Sequence, residues 1–419
     1  MARLVMKFGG TSLGDIERMQ HAARHIKREH DAGHEVAVVV SAMGGETDRL
    51  AELARSAAPM HDAREYDAIV ATGEQVSAAM LAIILQSLGV QARSWQGWQI
   101  ALNTSDAHGA ARIVGIDTAA LDERFALGHV AVICGFQGIG SDGRVTTLGR
   151  GGSDTSAVAI AAALDAACCD IYTDVDGVYT TDPRIVPEAH RLDRISYEEM
   201  LEMASLGAKV LQTRSVELAM TRGVRLRVRS TFDQPDALAS DIPALDGGIG
   251  TLVCDEDEIV EQQIVSGIAY ARDEAKVTLL RVADKPGVAA AVFGPLAEAG
   301  INVDMIVQNV SDDGKYTDLT FTVPNADLDR ALATIEKARE VIGYERLAGS
   351  TDVVKVSIIG VGMRSHAGVA AQMFHTLAER GINIQAITTS EIKVSVLIEA
   401  AYAELAVRAL HTAYGLDAH

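Results

Sequence analysis

Arg3-Leu4-Val5-Met6-Lys7-Phe8-Gly9-Gly10-Thr11-Ser12 opens the chain with a short apolar run that delivers a lysine to two glycines and two hydroxyls. Arg3–Phe8 reads as a strand, and the Gly pair ends it. Asp15–His30 then carries helical periodicity up to Gly33, and Val36–Val40 is an apolar run suited to a strand buried on both faces. Strand, helix and strand within forty residues predict a parallel pair joined by a crossover helix. The same alternation continues outward. Asp67–Leu88 is a long apolar helix pattern, His129–Phe136 a strand, and Ser153–Ala167 a helix with Ser153 as its N-cap. Ile171–Thr173 and Val224–Arg229 read as further strands, with Tyr197–Arg222 helical between them. The fold class is therefore α/β, a mostly parallel sheet sandwiched by helices.

At 419 residues the chain exceeds one ordinary domain. A hydrophobic fraction of 48% with 22% charged residues is globular composition, and 4% aromatics leaves the core to Ala, Val, Ile and Leu. The formal charge of −20 argues against a general nucleic-acid or acidic-membrane surface. No basic segment followed by an apolar stretch opens the chain, and Ala78–Leu85 is too short to span a bilayer. Cys134, Cys168, Cys169 and Cys254 show no CxxC spacing, which predicts reduced, buried thiols in a soluble cytoplasmic protein.

Residues 231–262 break the pattern with Gly247, Gly248, Gly250 and the acidic run Asp255–Glu258. Beyond them lies an internal repeat. Gly287–Ile306 and Gly368–Ile387, a constant 81 positions apart, share 12 of 20 residues, where chance gives about one or two. Each copy reads strand (Lys276–Val282; Val353–Ile359), helix (Val288–Ala299; Val369–Arg380), strand, strand, helix. Two copies are too few for a solenoid, so these are two small α+β modules with a βαββα order. The expected boundaries are a catalytic domain over 1–246, a linker over 247–263, and modules over 264–346 and 347–419. An extra strand, Ile264–Tyr270, completes either the first module's sheet or the second's.

Chemistry concentrates in the first domain. Glycines expose backbone N–H groups for an anion, and Lys7 beside Gly9 and Gly10 adds a full charge, although a strand ending in an ordinary Gly turn would read the same way. Gly149-Arg150-Gly151-Gly152-Ser153-Asp154-Thr155-Ser156 runs into an alanine-rich helix, a ready phosphate or carboxylate site, with Asp154 in the first helical turn. Ser41-Ala42-Met43-Gly44-Gly45-Glu46-Thr47 follows a buried strand, where parallel sheets place ligand loops. Glu74 starts an apolar helix, and Thr173–Arg184 is dense in carboxylates, either a long polar turn or a nucleotide loop with its Mg²⁺. No GxxxxGK[ST] occurs. Gly138–Gly143 matches GxGxxG, but the β-like Arg144–Leu148 that follows makes it a hairpin turn and not a dinucleotide fingerprint.

Together, Lys7–Ser12, Ser41–Gly44, Gly73-Glu74, Gly149–Ser156 and Tyr172–Arg184 resemble the aspartokinase family of the amino acid kinase fold. The 81-residue repeat resembles that family's two C-terminal ACT modules, so the resemblance covers essentially the whole chain, in its monofunctional form. It implies transfer of the ATP γ-phosphoryl to the β-carboxylate of L-aspartate, with Mg²⁺ carried by ATP and no dedicated protein ligand. A carboxylate nucleophile is already ionised and needs no general base; it needs its repulsion from phosphate cancelled. By resemblance, Lys7 and Asp154 are catalytic. Gly9, Gly10, Ser41, Thr173, Asp174, Tyr179, Asp182, Arg184 and Lys209 join Lys7 in holding ATP. Arg150 takes the α-carboxylate of aspartate and Glu74 its ammonium, with Thr47, Gly151, Gly152 and Ser153 alongside. Effector positions are Asp284, Asn302, Val303, Asp304 and Gln308 in the first module, and Val369, Ala370, Asn383, Ile384, Ser390 and Glu391 in the second. Lysine, threonine or both would inhibit there, in a homodimer or tetramer built through the ACT modules.

Two other readings compete. An acetylglutamate, glutamate 5-kinase or uridylate kinase type would lack tandem ACT modules, and an N-acetylated substrate would offer Glu74 no ammonium. A non-catalytic amino-acid sensor should have lost Lys7 or Asp154, and both are present.

Overall fold

The computed structural model describes residues 2–206, 210–235, 249–259, 263–311 and 314–417. The chain forms two compact units. One comprises Met1–Val178, Arg191–Ala204 and Lys209–Val260; the other comprises Tyr179–His190, Ser205–Ala208 and Glu261–His419.

The first unit is built on an eight-stranded sheet in the order Arg194–Ser196, Thr251–Cys254, Leu226–Ser230, Cys168–Thr173, Arg3–Phe8, Glu35–Val40, Val130–Cys134, Ala92–Trp95. All neighbours are parallel except Leu226–Ser230 with Thr251–Cys254. Arg3–Phe8 sits near the centre, which is why five of its six residues are buried. Its face with Met6 and Phe8 packs with Met19, Ala22, Ala23 and Ile26 of the helix Ile16–Asp31. A second, four-stranded sheet contains the antiparallel hairpin of Gln137–Ile139 with Val145–Thr147, the turn expected in place of a dinucleotide fingerprint.

Three expectations are corrected here. The apolar pattern over Asp67–Leu88 is two helices, Ala63–Val70 and Thr72–Ser87, meeting at Ala71. Ser153 is inside its helix and not at its N-cap; Gly151, at φ 72°, caps Gly152–Ala163. The stretch read as linker supplies the sheet strand Thr251–Cys254, whose four residues are all buried. Its apolar, β-favouring composition was hidden between glycines and acidic residues. Among the described residues only Ala63–Ser87 is long and apolar enough to cross a membrane by length and composition. It is the two helices taken in succession, and the second packs in the core: Ala78, Leu81, Ala82 and Leu85 lie in the same cluster as Val130 and Val132.

The second unit holds the repeat. One sheet runs Asp304–Val310, Tyr316–Val323, Ala275–Ala283, Arg346–Ser350; the other runs Gly267–Ala271, Val353–Ile359, Lys393–Glu399, Ile384–Thr389. The extra strand thus pairs with Val353–Ile359 of the second module. The repeat helices, Val288–Glu298 and Val369–Glu379, both start on a left-handed glycine, Gly287 and Gly368. The segment Tyr179–His190 folds into this unit: Ile185, Val186 and Ala189 join the second module's core, and Thr180 accepts from Ile268 N–H at 2.7 Å.

Candidate active site

Parallel strands release their loops at their C-terminal ends, and the first unit gathers three such loops with a helix start there. An open cavity of about 320 Å³ is lined by Lys7, Gly10, Ser41, Thr47, Glu74, Arg150, Gly151, Gly152, Ser153 and Asp154. These ten expected residues come from four separate sequence stretches. The cavity also takes in Met43, Gly44, Gly45, Asp48, Phe136, Gly149 and Gln212.

Lys7 leaves the sheet centre with only 10% of its side chain exposed, and its Nζ lies 2.5 Å from Asp154 Oδ1. Asp154 sits in the first turn of Gly152–Ala163, where the helix dipole favours a negative charge. The pair sets a cation at the cavity with a carboxylate that fixes its direction. Gly151 makes this helix start possible: at φ 72° an added Cβ would lie 2.4 Å from Gln212 Cγ.

Glu74 is the cavity's deepest anion, 2% exposed. Its Oε1 accepts from Ala42 N–H at 3.1 Å, while its Oε2 is buried without a hydrogen-bond partner. Burial raises its carboxyl to about 7. An unpartnered buried carboxylate oxygen is costly unless a ligand donor meets it. The site therefore offers an anion at Glu74, cations at Lys7 and Arg150, and N–H groups at a helix start.

Phe136 was not foreseen. It holds a left-handed φ of 67°, unusual for an aromatic residue, with its N–H donating to Ser156 Oγ at 3.1 Å and its carbonyl accepting from Leu148 N–H. Its only sequence signal was position, one glycine beyond a buried parallel strand. Asp48 and Gln212 carried no signal of their own.

The remaining expected residues divide. Gly9 is outside the cavity lining, with Lys7 Nζ 3.5 Å from where its Cβ would be. Ser12 is turned inward to Thr231, Oγ to Oγ1 2.6 Å. Thr173 and Asp174 are in the first unit, hydrogen-bonded to each other at 3.1 Å. Tyr179, Asp182 and Arg184 are in the second, where Asp182 accepts from Arg184 and from Tyr270 Oη, holding its carboxyl below the usual range. Lys209 lies outside the described residues.

Among the effector positions, Asp304 is already engaged. Its Oδ2 is 2.6 Å from Lys355 Nζ, which also pairs with Glu274. Asn302 and Val303 line a second cavity of about 360 Å³ with Phe293, Ala297, Gly300, Ile301 and Ile306. Asp284 N–H donates to Lys315, Gln308 lies on the edge strand Asp304–Val310, and Glu391 is 3.6 Å from Arg364. Val369 and Ala370 open the second repeat helix and Ile384 opens a strand, with Asn383 just before it and Ser390 just after.

The chain is similar to known proteins along its whole length. Residues 2–230 match the amino acid kinase family, and 276–340 and 356–414 each match an ACT domain. The chain is 54% identical over 420 residues to an aspartokinase of Pseudomonas aeruginosa, covering 100% of this chain and 98% of that one. Among solved structures it is similar to E. coli aspartokinase III in complex with aspartate and ADP, with a TM-score of 0.76, 29% identity, and coverage of 98% and 99%. It is also similar to the same E. coli protein in complex with lysine and aspartate, with a TM-score of 0.75, 29% identity, and coverage of 98% and 98%.

Proposed function

The chain belongs to the aspartokinase family, and from that premise we propose how its cavity carries the reaction. The enzyme transfers the γ-phosphoryl group of ATP to the β-carboxylate of L-aspartate, giving 4-phospho-L-aspartate, the first step towards lysine, threonine and methionine. The observation that carries the residue assignment is the buried, unpartnered Glu74 Oε2 in one cavity with Lys7 and Arg150. Aspartate presents one ammonium and two carboxylates, and the cavity presents Glu74 as a deep anion without an ion-pair partner, with Arg150 and the Asp154-paired Lys7 as cations.

Arg150 binds the α-carboxylate and Glu74 the α-ammonium, with Thr47 and the N–H groups of Gly151, Gly152 and Ser153 completing the contact. This leaves the β-carboxylate to approach the phosphate held at Lys7, Gly10 and Ser41. No proton has to be removed from the nucleophile, so the residues act by position and charge. Lys7 meets charge on the transferring oxygens, and Asp154 holds Lys7 in place. Mg²⁺ carried by ATP would supply charge neutralisation at the phosphate oxygens, and Asp154, a hard oxygen donor lining the cavity, is the residue that would meet it. Thr173, Asp174, Tyr179, Asp182, Arg184 and Lys209 remain proposed nucleotide contacts.

An ATP-dependent hydroxamate assay with L-aspartate tests the activity, and Glu74→Gln tests the site. That variant should raise KM for aspartate about tenfold or more and leave KM for ATP within twofold, since it removes one ion pair to the ammonium. An equal rise in both would place Glu74 with the nucleotide. Because burial raises Glu74 to about 7 from its ordinary 4.5, wild-type kcat/KM for aspartate should fall as pH drops below about 7, and the variant should lose that limb. Stability has the opposite sign. The folded state keeps a proton that the unfolded chain releases, so this group's contribution is full below pH 4.5 and lost as pH rises through about 7.

Lysine, threonine or both acting together are the proposed inhibitors, bound at the ACT positions above. Ile306 and Val310, exposed on the edge strand Asp304–Val310, support an oligomer formed through these modules. Four free, buried cysteines suit a reducing compartment, and we place the enzyme in the cytoplasm.

A further inference from the structure

Arg150 is exposed at the cavity, and among the described residues it makes no ion pair or hydrogen bond of its own. Its place is set by the backbone that carries it, and that backbone is gripped from two sides. On one side is Asp67, fully buried on the helix Ala63–Val70. Its carboxylate accepts from Thr147 N–H at 3.0 Å, Thr147 Oγ1 at 2.5 Å, Gly109 N–H at 3.1 Å and His108 Nδ1 at 2.8 Å. On the other side is Arg214, at the start of the helix Thr213–Arg222. Its Nη1 donates to Leu148 O at 2.7 Å and its Nη2 to Ala111 O at 2.8 Å.

Both side chains therefore join the same two segments, 109–111 and 147–148, immediately before Gly149 and Arg150. The segments touch directly as well: Ala111 N–H donates to Thr147 O at 2.9 Å, and a Cβ on Gly149 would lie 2.9 Å from Gly109 O. None of Asp67, His108, Gly109, Ala111, Thr147 and Arg214 lines the cavity. A fully buried carboxylate taking four donors, and a guanidinium spanning two carbonyls, are more than a surface hairpin needs. Resting on the reading of Arg150 as the cation for the aspartate α-carboxylate, we propose that Arg214 and Asp67 are positioning residues that set aspartate affinity by fixing the loop that presents Arg150.

The test is a double-mutant cycle on the full chain, reading KM for aspartate, KM for ATP, kcat and the thermal midpoint. Arg214→Ala should raise KM for aspartate about tenfold, with KM for ATP within twofold, because a small displacement of a binding group is enough to weaken its contact. In an Arg150→Ala background the same change should add less than twofold, since the group being positioned is already gone. Arg214→Lys, which can reach one carbonyl, should fall between, and it decides the matter in the same cycle if Arg214→Ala does not fold. A full multiplicative effect on top of Arg150→Ala, or aspartate and ATP KM rising together, would overturn the clasp and leave Arg214 a structural residue. Unchanged aspartate KM in Arg150→Ala would sink the reading of Arg150, and the clasp with it. A raised KM there with wild-type behaviour in both Arg214 variants would sink the clasp alone.

Discussion

Replacing Lys7 by alanine should lower kcat about a thousandfold while leaving the protein folded. Lys7 is the cation that the central strand carries into the cavity, and Asp154 at 2.5 Å keeps it there. A unit charge about 4 Å from charge developing on the phosphoryl oxygens contributes on the order of 4 kcal/mol at an effective dielectric near 20. That corresponds to about three decades in rate. The loss falls on kcat more than on either KM, because charge on the bridging and leaving oxygens grows towards the transition state. Folding survives because the strand keeps Leu4, Val5, Met6 and Phe8 in the core. Asp154, left without its partner, still sits at a helix start that favours a negative charge. Steady-state kinetics beside a thermal melt separate the two effects. A kcat loss under tenfold with an unchanged melt would remove Lys7 from the chemistry.

Much of this site could be read before the structure because its residues follow local rules. Lys7 precedes a double glycine at the end of a strand, and Arg150 to Asp154 open a helix behind glycines; such patterns are visible within ten residues. Phe136, Asp48 and Gln212 reach the cavity only through the tertiary fold, so no window of sequence could single them out. Helix ends were misplaced where apolar periodicity runs through a boundary, as at Ala71. The strand Thr251–Cys254 was lost because its neighbours look like linker and its sheet partners, Arg194–Ser196 and Leu226–Ser230, lie outside its own stretch of sequence. Tyr172–Arg184 reads as one motif, yet the chain passes from one compact unit to the other between Val178 and Tyr179. The clasp around the Arg150 loop was invisible for a similar reason. Asp67 and Thr147 are 80 positions apart, and neither residue type announces the other.

Asp304→Ala should release feedback inhibition while leaving uninhibited kcat within a fewfold of wild type. Asp304 begins the edge strand of the first module, after the repeat helix and its loop, and its side chain is 62% exposed. It is therefore open to a ligand, although Lys355 already pairs with one of its oxygens at 2.6 Å. An amino-acid effector whose ammonium takes Asp304 shares it with Lys355 or displaces Lys355 from it. Either outcome gives the effector a contact that depends on how Lys355 is held, and Lys355 belongs to the other module. The exchange is feasible because Lys355, 6% exposed, keeps its second carboxylate, Glu274, when Asp304 is given up. For the same reason the variant stays folded: the buried ammonium is not stranded without an anion. A charge-assisted contact of this kind contributes about 1.5 to 3 kcal/mol, so its loss should raise the half-inhibiting concentration by about ten- to a hundredfold. Inhibition requires tighter binding to the low-activity state than to the active one, so a weakened effector shifts the population less. The measurement is a titration of kinase activity with lysine and threonine, singly and together, against wild type. Unaltered sensitivity to all three additions would mean that the Asp304–Lys355 pair only joins the two modules, and that the effector ammonium is met elsewhere.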